Sequence, residues 1–191
     1  NDEITNQIKF FQLTPDFIYQ YVTYYLNFPY IKTQNDSNVF NKVFEGNITF
    51  RISRSTKEEN VSEILTALDY VAHKIHFQKL YPLPNSDFED AVNEYNSDYD
   101  NSLKPKLVYD VAIKANILKE ITDKFAVAFC DENLLAYFVA SHLNRKFNEG
   151  RGADELRYIL NNICFGINGD ILLFLSYITS NVQILNPILE S

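Results

Sequence analysis

The chain has 191 residues, 46% of them hydrophobic and 15% aromatic, with 15 Phe, 13 Tyr and no Trp. It is long and apolar enough for one ordinary domain with a real core, which excludes a disordered chain, and 5 Gly argue against a turn-rich β-sandwich. Acidic residues outnumber basic ones 25 to 17, a net charge of −8, which excludes a general nucleic-acid binder because phosphate neutralisation needs a basic surface.

Residues 4–13 read as a short strand. Thr14-Pro15-Asp16 then opens a helix, with Thr14 as cap and Pro15 at the first helical position, running to about Asn27. That helix is rich in tyrosine, including Tyr21 and Tyr25. Over residues 38–54 the turn signal Glu45-Gly46-Asn47 and the alternation of Ile48, Phe50 and Ile52 predict a hairpin, or a strand after a short helix. Ser55 and Glu58 have the spacing of a capping box. The helix after it carries Val61, Ile64, Leu65, Leu68, Ala72 and Ile75 on one stripe, the clearest amphipathic pattern in the chain.

Residues 82–106 hold prolines at 82, 84 and 105 and the acids Asp87, Glu89, Asp90, Glu94, Asp98 and Asp100. They predict a long acidic loop or linker, with at most a short helix near Phe88–Tyr95, between an α/β lobe (1–81) and a helical lobe (107–191). Four helices are expected beyond it. One spans Leu107–Phe129, and the next is capped by Asp131 with Leu134, Leu135, Phe138, His142, Leu143 and Phe147 on one face. A third runs from Ala153 to Phe165 and is closed by Gly166, and an all-round apolar, buried helix covers Asp170–Ser180. Leu65, Leu68, Leu118, Phe138, Leu160 and Phe174 are the expected core. The architecture is therefore mainly α: a helical bundle with a minor β element in the N-terminal third.

The one ligand-like constellation is Asp69, His73 and His76, on one side of their helix at i, i+4 and i+7. A carboxylate and two imidazoles could bind zinc with one further ligand; the plainer reading is a polar flank near a helix C-terminus, where the dipole favours His. His142, on the apolar face of its helix, reads as a hydrogen-bonded core histidine. Asn96, Asp98, Asp100 and Ser102 alternate like the start of a calcium loop, but Asn101 and Leu107 stand where that loop needs Gly and Glu. Gly150 and Gly152 form a helix–helix turn rather than a phosphate loop, since Asp154 and Glu155 occupy the electropositive first turn. Cys130 and Cys164 are expected to be buried, although Cys130 sits near a helix N-terminus that would lower its pKa. Two cysteines make no disulfide scaffold, and no signal-peptide pattern follows Asn1, so a reducing, cytoplasmic setting is expected. The longest strongly apolar run, Ile171–Ile178, falls far short of the roughly 20 residues of a membrane span.

Two segments, IKFFQLTPDFIYQYVTYYL and STKEENVSEILTALDYVAHKI, together resemble the second half of a BTB/POZ fold of the elongin C kind over residues 4–80. Glu59-Asn60-Val61, Glu63-Ile64-Leu65 and Leu68-Asp69-Tyr70 stand in the places of that family's capped helix, and LVYDVAIKANILKEITDKF looks like a closing helix. The resemblance implies a non-enzymatic adaptor and transfers no catalytic residue.

With no catalytic motif in view, the expected function is a non-enzymatic protein-interaction module, an adaptor or scaffold without cofactor or metal. The expected partner is another protein with a basic or mixed surface, not nucleic acid or a membrane. Tyr21 and Tyr25 would anchor it, and Asp87, Glu89, Asp90 and Glu94 would steer it. The alternatives are an acidic inhibitor or immunity protein that blocks a basic enzyme or toxin, and a metal-dependent enzyme using Asp69, His73 and His76.

Overall fold

The computed structural model describes residues 39–57, 60–179, 184 and 186. The chain divides into two compact units, 1–48 and 49–191. The expected strand at 4–13, the helix that follows it, Tyr21, Tyr25 and Glu58 lie outside the described residues.

Helix α1 spans Val39–Ser53. The expected strand or hairpin is thus corrected: Phe44, Ile48 and Ile52 are buried at a spacing of four, a helical stripe, and that stripe shares Ile48 and Ile52 with the alternation that suggested a strand. Gly46 is carried inside the helix. Arg51, near its end, donates from Nε to the Ala115 carbonyl at 2.7 Å and from the guanidinium to the Asn116 carbonyl. It thereby satisfies the free carbonyls at a distant helix end.

Helix α2 spans Val61–Gln78 and buries Val61, Ile64, Ala67, Leu68, Val71, Ala72 and Ile75. Of the expected capping box only Ser55 is described. The helix begins after Asn60 with no side-chain cap, and the Ser55 hydroxyl donates to the Arg51 carbonyl at 2.9 Å. Leu65 is only half-buried because the stripe centres on Ile64 and Leu68. The helix closes at Lys79 in the left-handed conformation (φ 57°).

The acidic stretch is mostly helix rather than loop. After the two-residue strand β1 (Leu83–Pro84), helix α3 runs Asn85–Asp98 and buries Phe88, Ala91, Val92 and Tyr95. Their i, i+3, i+4, i+7 spacing is an amphipathic face set among the carboxylates. The loop that follows is pinned by Asn96, whose amide exchanges hydrogen bonds of 2.7 and 3.1 Å with the backbone of Leu103. This bonding employs the first residue of the calcium-like alternation.

Helix α4 covers Pro105–Lys114, far short of the expected Leu107–Phe129. Asn116 adopts a left-handed φ of 51°, which Asn tolerates better than most residues, and the helix ends. Strands β2 (Leu118–Ile121) and β3 (Ala126–Phe129) then form an antiparallel hairpin across a 3-10 turn, Thr122–Lys124. Leu118 pairs with Phe129 and Ile121 with Ala126, while β1 pairs on the other edge of β3 through Leu83 and Val127. The sheet order is β1-β3-β2. All four residues of the central strand β3 are buried. Among the described residues the β element therefore lies in the middle of the chain, and the one expected at 38–54 is helix.

Helix α5 spans Glu132–Asn148, with the Asp131 carboxylate accepting from the Leu134 N–H at 2.8 Å as expected. It packs against both α2 and α7 and buries nine residues from Leu134 to Leu143. Helix α6 spans Ala153–Asn161 and stops before the expected Phe165, and helix α7 spans Asn168–Ile178. Leu160 is half-buried, whereas Leu68, Leu118, Phe138 and Phe174 are core as expected. Cys164 is exposed and Cys130 half-buried, which corrects the burial expected for both. Burial raises the Cys130 pKa instead of the helix terminus lowering it. Among the described residues no helix is long and apolar enough to cross a membrane.

Candidate functional site

Helix α2 contributes to two depressions on the second unit. The first is a charged cleft of about 370 Å³. Its α2 side is formed by Tyr70, His73, Lys74 and Phe77, which share one helical face by their spacing. Helix α3 adds Glu94 and Asp98, and α5 adds His142 and Lys146. The Tyr70 hydroxyl donates to Asp98 at 2.9 Å and lies 3.4 Å from Glu94. Burial and these acceptors raise its pKa. Lys74 is ion-paired with Glu94, and Lys146 with Glu155.

His73 and His142 stack obliquely, ring centroids 4.4 Å apart. Burial, then the Lys146 cation, lowers the His73 pKa to about 4; burial, then His73 and Arg145, lowers that of His142 to about 2. Both rings are neutral at pH 7. His142 is buried as the sequence suggested, but its Nδ1 has no hydrogen-bond partner and its ring meets Tyr70 edge-on at 5.6 Å. The cleft's cations and carboxylates are thus largely matched to one another.

The structure separates the three metal candidates. Asp69 is buried, accepts from the Ser141 hydroxyl at 2.9 Å and is ion-paired with Arg145. His73 belongs to the charged cleft and lies 3.7 Å from Glu155. His76 lines the second depression. Among the described residues no group of three or more His, Cys, Asp or Glu is placed to hold a metal ion.

The second depression is a groove of about 550 Å³. The end of α2 supplies Ile75, His76 and Lys79, and Leu135 of α5 contributes with Tyr81. Tyr158 and Asn162 come from the end of α6, and Phe165 to Asn168 from the connection to α7. Tyr81 is 54% exposed, Tyr158 41% and Phe165 70%; Ile163, in the same connection, is 42% exposed. Hydrogen bonds hold this connection in place. The Asn162 amide donates to the Tyr158 carbonyl at 2.8 Å, and the Asn168 amide to the Asn162 carbonyl at 2.7 Å. The Phe165 N–H reaches the Asn162 carbonyl at 2.9 Å, and Gly166 takes the left-handed φ of 55° that lets the chain turn. Phe165 therefore faces solvent from a built turn. Burial lowers the His76 pKa, partly opposed by the nearby Asn168 amide.

The sequence pattern signals neither the groove nor its aromatics, because the helix expected over Ala153–Phe165 runs through Phe165. The signal against that was Asn161-Asn162, two poor helix formers before Ile163. Of the acidic steering candidates, Glu89, Asp90 and Glu94 are exposed along α3 and Asp87 is half-buried.

Residues 81–139, less than half of the chain, are similar to the family described as Novel STAND NTPase 4. The span runs from Tyr81 through α3, α4 and the hairpin into α5. No curated protein matches the chain, and no solved structure does. The finding corrects the BTB/POZ resemblance: the similarity is to a different family and takes in residues 107–125, which looked like a closing helix of the BTB/POZ kind.

Proposed function

We propose that this chain is a non-enzymatic protein-interaction module that works in the setting of a STAND-type NTPase and receives a segment of another protein in its aromatic groove. The observation that carries this is that Tyr81, Tyr158 and Phe165 all line one groove and are all exposed. Single exposed aromatics are ordinary on a protein surface, but several on one concave face mark an interaction site. Full burial of such a ring stabilises a complex by about 1.5–3 kcal/mol. The similarity over residues 81–139 supports the NTPase setting, and it includes Tyr81 and Leu135 of the groove.

Affinity capture with the whole chain tests the reading, run beside Phe165→Ser and Tyr158→Ser. A protein retained by the parent chain and lost from both variants, with unfolding midpoints unchanged, supports it. Capture indifferent to both substitutions sinks it.

A further inference from the structure

We infer that the segment received by the aromatic groove is a short peptide stretch that combines apolar side chains with an acidic residue, whose carboxylate meets Lys79. This rests on the interaction reading above and names its partner chemistry. The chain as a whole carries 25 acidic against 17 basic residues, yet no Asp or Glu lines the groove, and its basic groups are Lys79 and His76. Lys79 thus puts a cation on a groove that no carboxylate lines, although Asp131 and Glu132 act on Tyr81 from behind it, and complementarity at an interface selects the opposite charge.

Lys79 is set apart from the lysines of the charged cleft. Lys74 and Lys146 each hold a carboxylate, whereas among the described residues no ion pair engages Lys79. It also occupies the left-handed position that ends α2, φ 57°, where glycine is the ordinary residue and a side chain is strained. A free cation beside Tyr81, Tyr158 and Phe165 gives the groove two kinds of recognition: rings for apolar side chains and an ammonium for a carboxylate. The overall acidity of the chain points to a basic or mixed partner surface; the local composition of the groove points to an acidic one, and contact is governed locally.

The test is a random twelve-residue peptide display library panned on the whole chain and counter-selected on Phe165→Ser. The enriched peptides are then titrated by fluorescence anisotropy. They should carry apolar residues with Asp or Glu, bind Phe165→Ser at least tenfold more weakly and bind Lys79→Glu about tenfold more weakly. Replacing the peptide's acid with Lys should restore binding to Lys79→Glu. Equal unfolding midpoints for the variants assign the losses to the groove. Groove-dependent peptides that are basic, or indifferent to Lys79→Glu, overturn the partner chemistry while leaving the interaction module standing. Peptides indifferent to Phe165, or no enrichment at all, overturn both. Phe165-dependent self-association in sedimentation, or Phe165-dependent binding to vesicles of phosphatidylserine and phosphatidylcholine, gives the groove to a second copy or to lipid and overturns the inference.

Discussion

Burial turns ordinary polar residues of this chain into strong constraints. Asp69 is held by Arg145 and Ser141 rather than offered to a ligand. Asp69→Ala should lower stability by about 2–4 kcal/mol in urea unfolding, because it leaves a partly buried guanidinium without its counter-charge. A loss below half a kcal/mol would show that water replaces the carboxylate freely. The two stacked imidazoles make a pH prediction. Both have folded pKa values, about 4 for His73 and about 2 for His142, below the ordinary 6.5. The unfolded chain therefore binds protons more readily than the native one below about pH 6.5. Stability should be full above that pH and fall as pH drops toward 4, each ring contributing up to about 1.4 kcal/mol per pH unit. His73→Gln and His142→Gln should each flatten that slope in unfolding measured from pH 7 to 5. A slope equal to the parent's in both variants would refute the assignment.

At the scale of elements, the acidic stretch shows how composition can mask periodicity. Prolines at its ends and carboxylates along it look like a linker, yet Phe88, Ala91, Val92 and Tyr95 recur with a helical period and are buried. Phe88→Ala should cost about 3–5 kcal/mol, where a loop residue would cost almost nothing. Limited proteolysis should leave the bonds from Phe88 to Tyr95 intact in the folded chain, and early cleavage there would contradict a packed α3. Residues 107–129 show the converse: apolar residues compatible with one long helix divide between a helix and a hairpin. The left-handed turn at Asn116 and the pairing of β3 with both β1 and β2 decide that outcome. The pairing joins residues more than 40 positions apart, Leu83 and Val127, so no local window contains it. The cap at Asp131, by contrast, was legible, because its donor lies three residues away; Asp131→Ala should cost about 1 kcal/mol.

For the whole molecule, net charge and groove charge have opposite signs, and association kinetics can separate them. An acidic peptide approaches a chain of net charge −8, so added salt should raise its association rate by screening long-range repulsion. The same salt should raise its dissociation rate by weakening the contact with Lys79. An association rate that falls with salt would mean the groove's local field outweighs the net charge. The sequence by itself determined the mainly helical class, α2 and its buried face, the capped α5, the existence of α7 and the acidity; α7 buries Ile171, Leu172, Phe174 and Leu175 but leaves Leu173, Tyr177 and Ile178 half-buried. Each of these depends on residues within a turn or two of one another, or on composition alone. Tertiary structure decided which half of the chain holds the sheet, that Leu65 and Leu160 are only half-buried, and that Asp69, His73 and His76 face different surroundings. It also decided that Phe165 stands exposed beside Tyr81 and Tyr158. Those outcomes depend on which helix face meets which neighbour across long stretches of chain, and packing chooses among faces that local periodicity leaves equivalent.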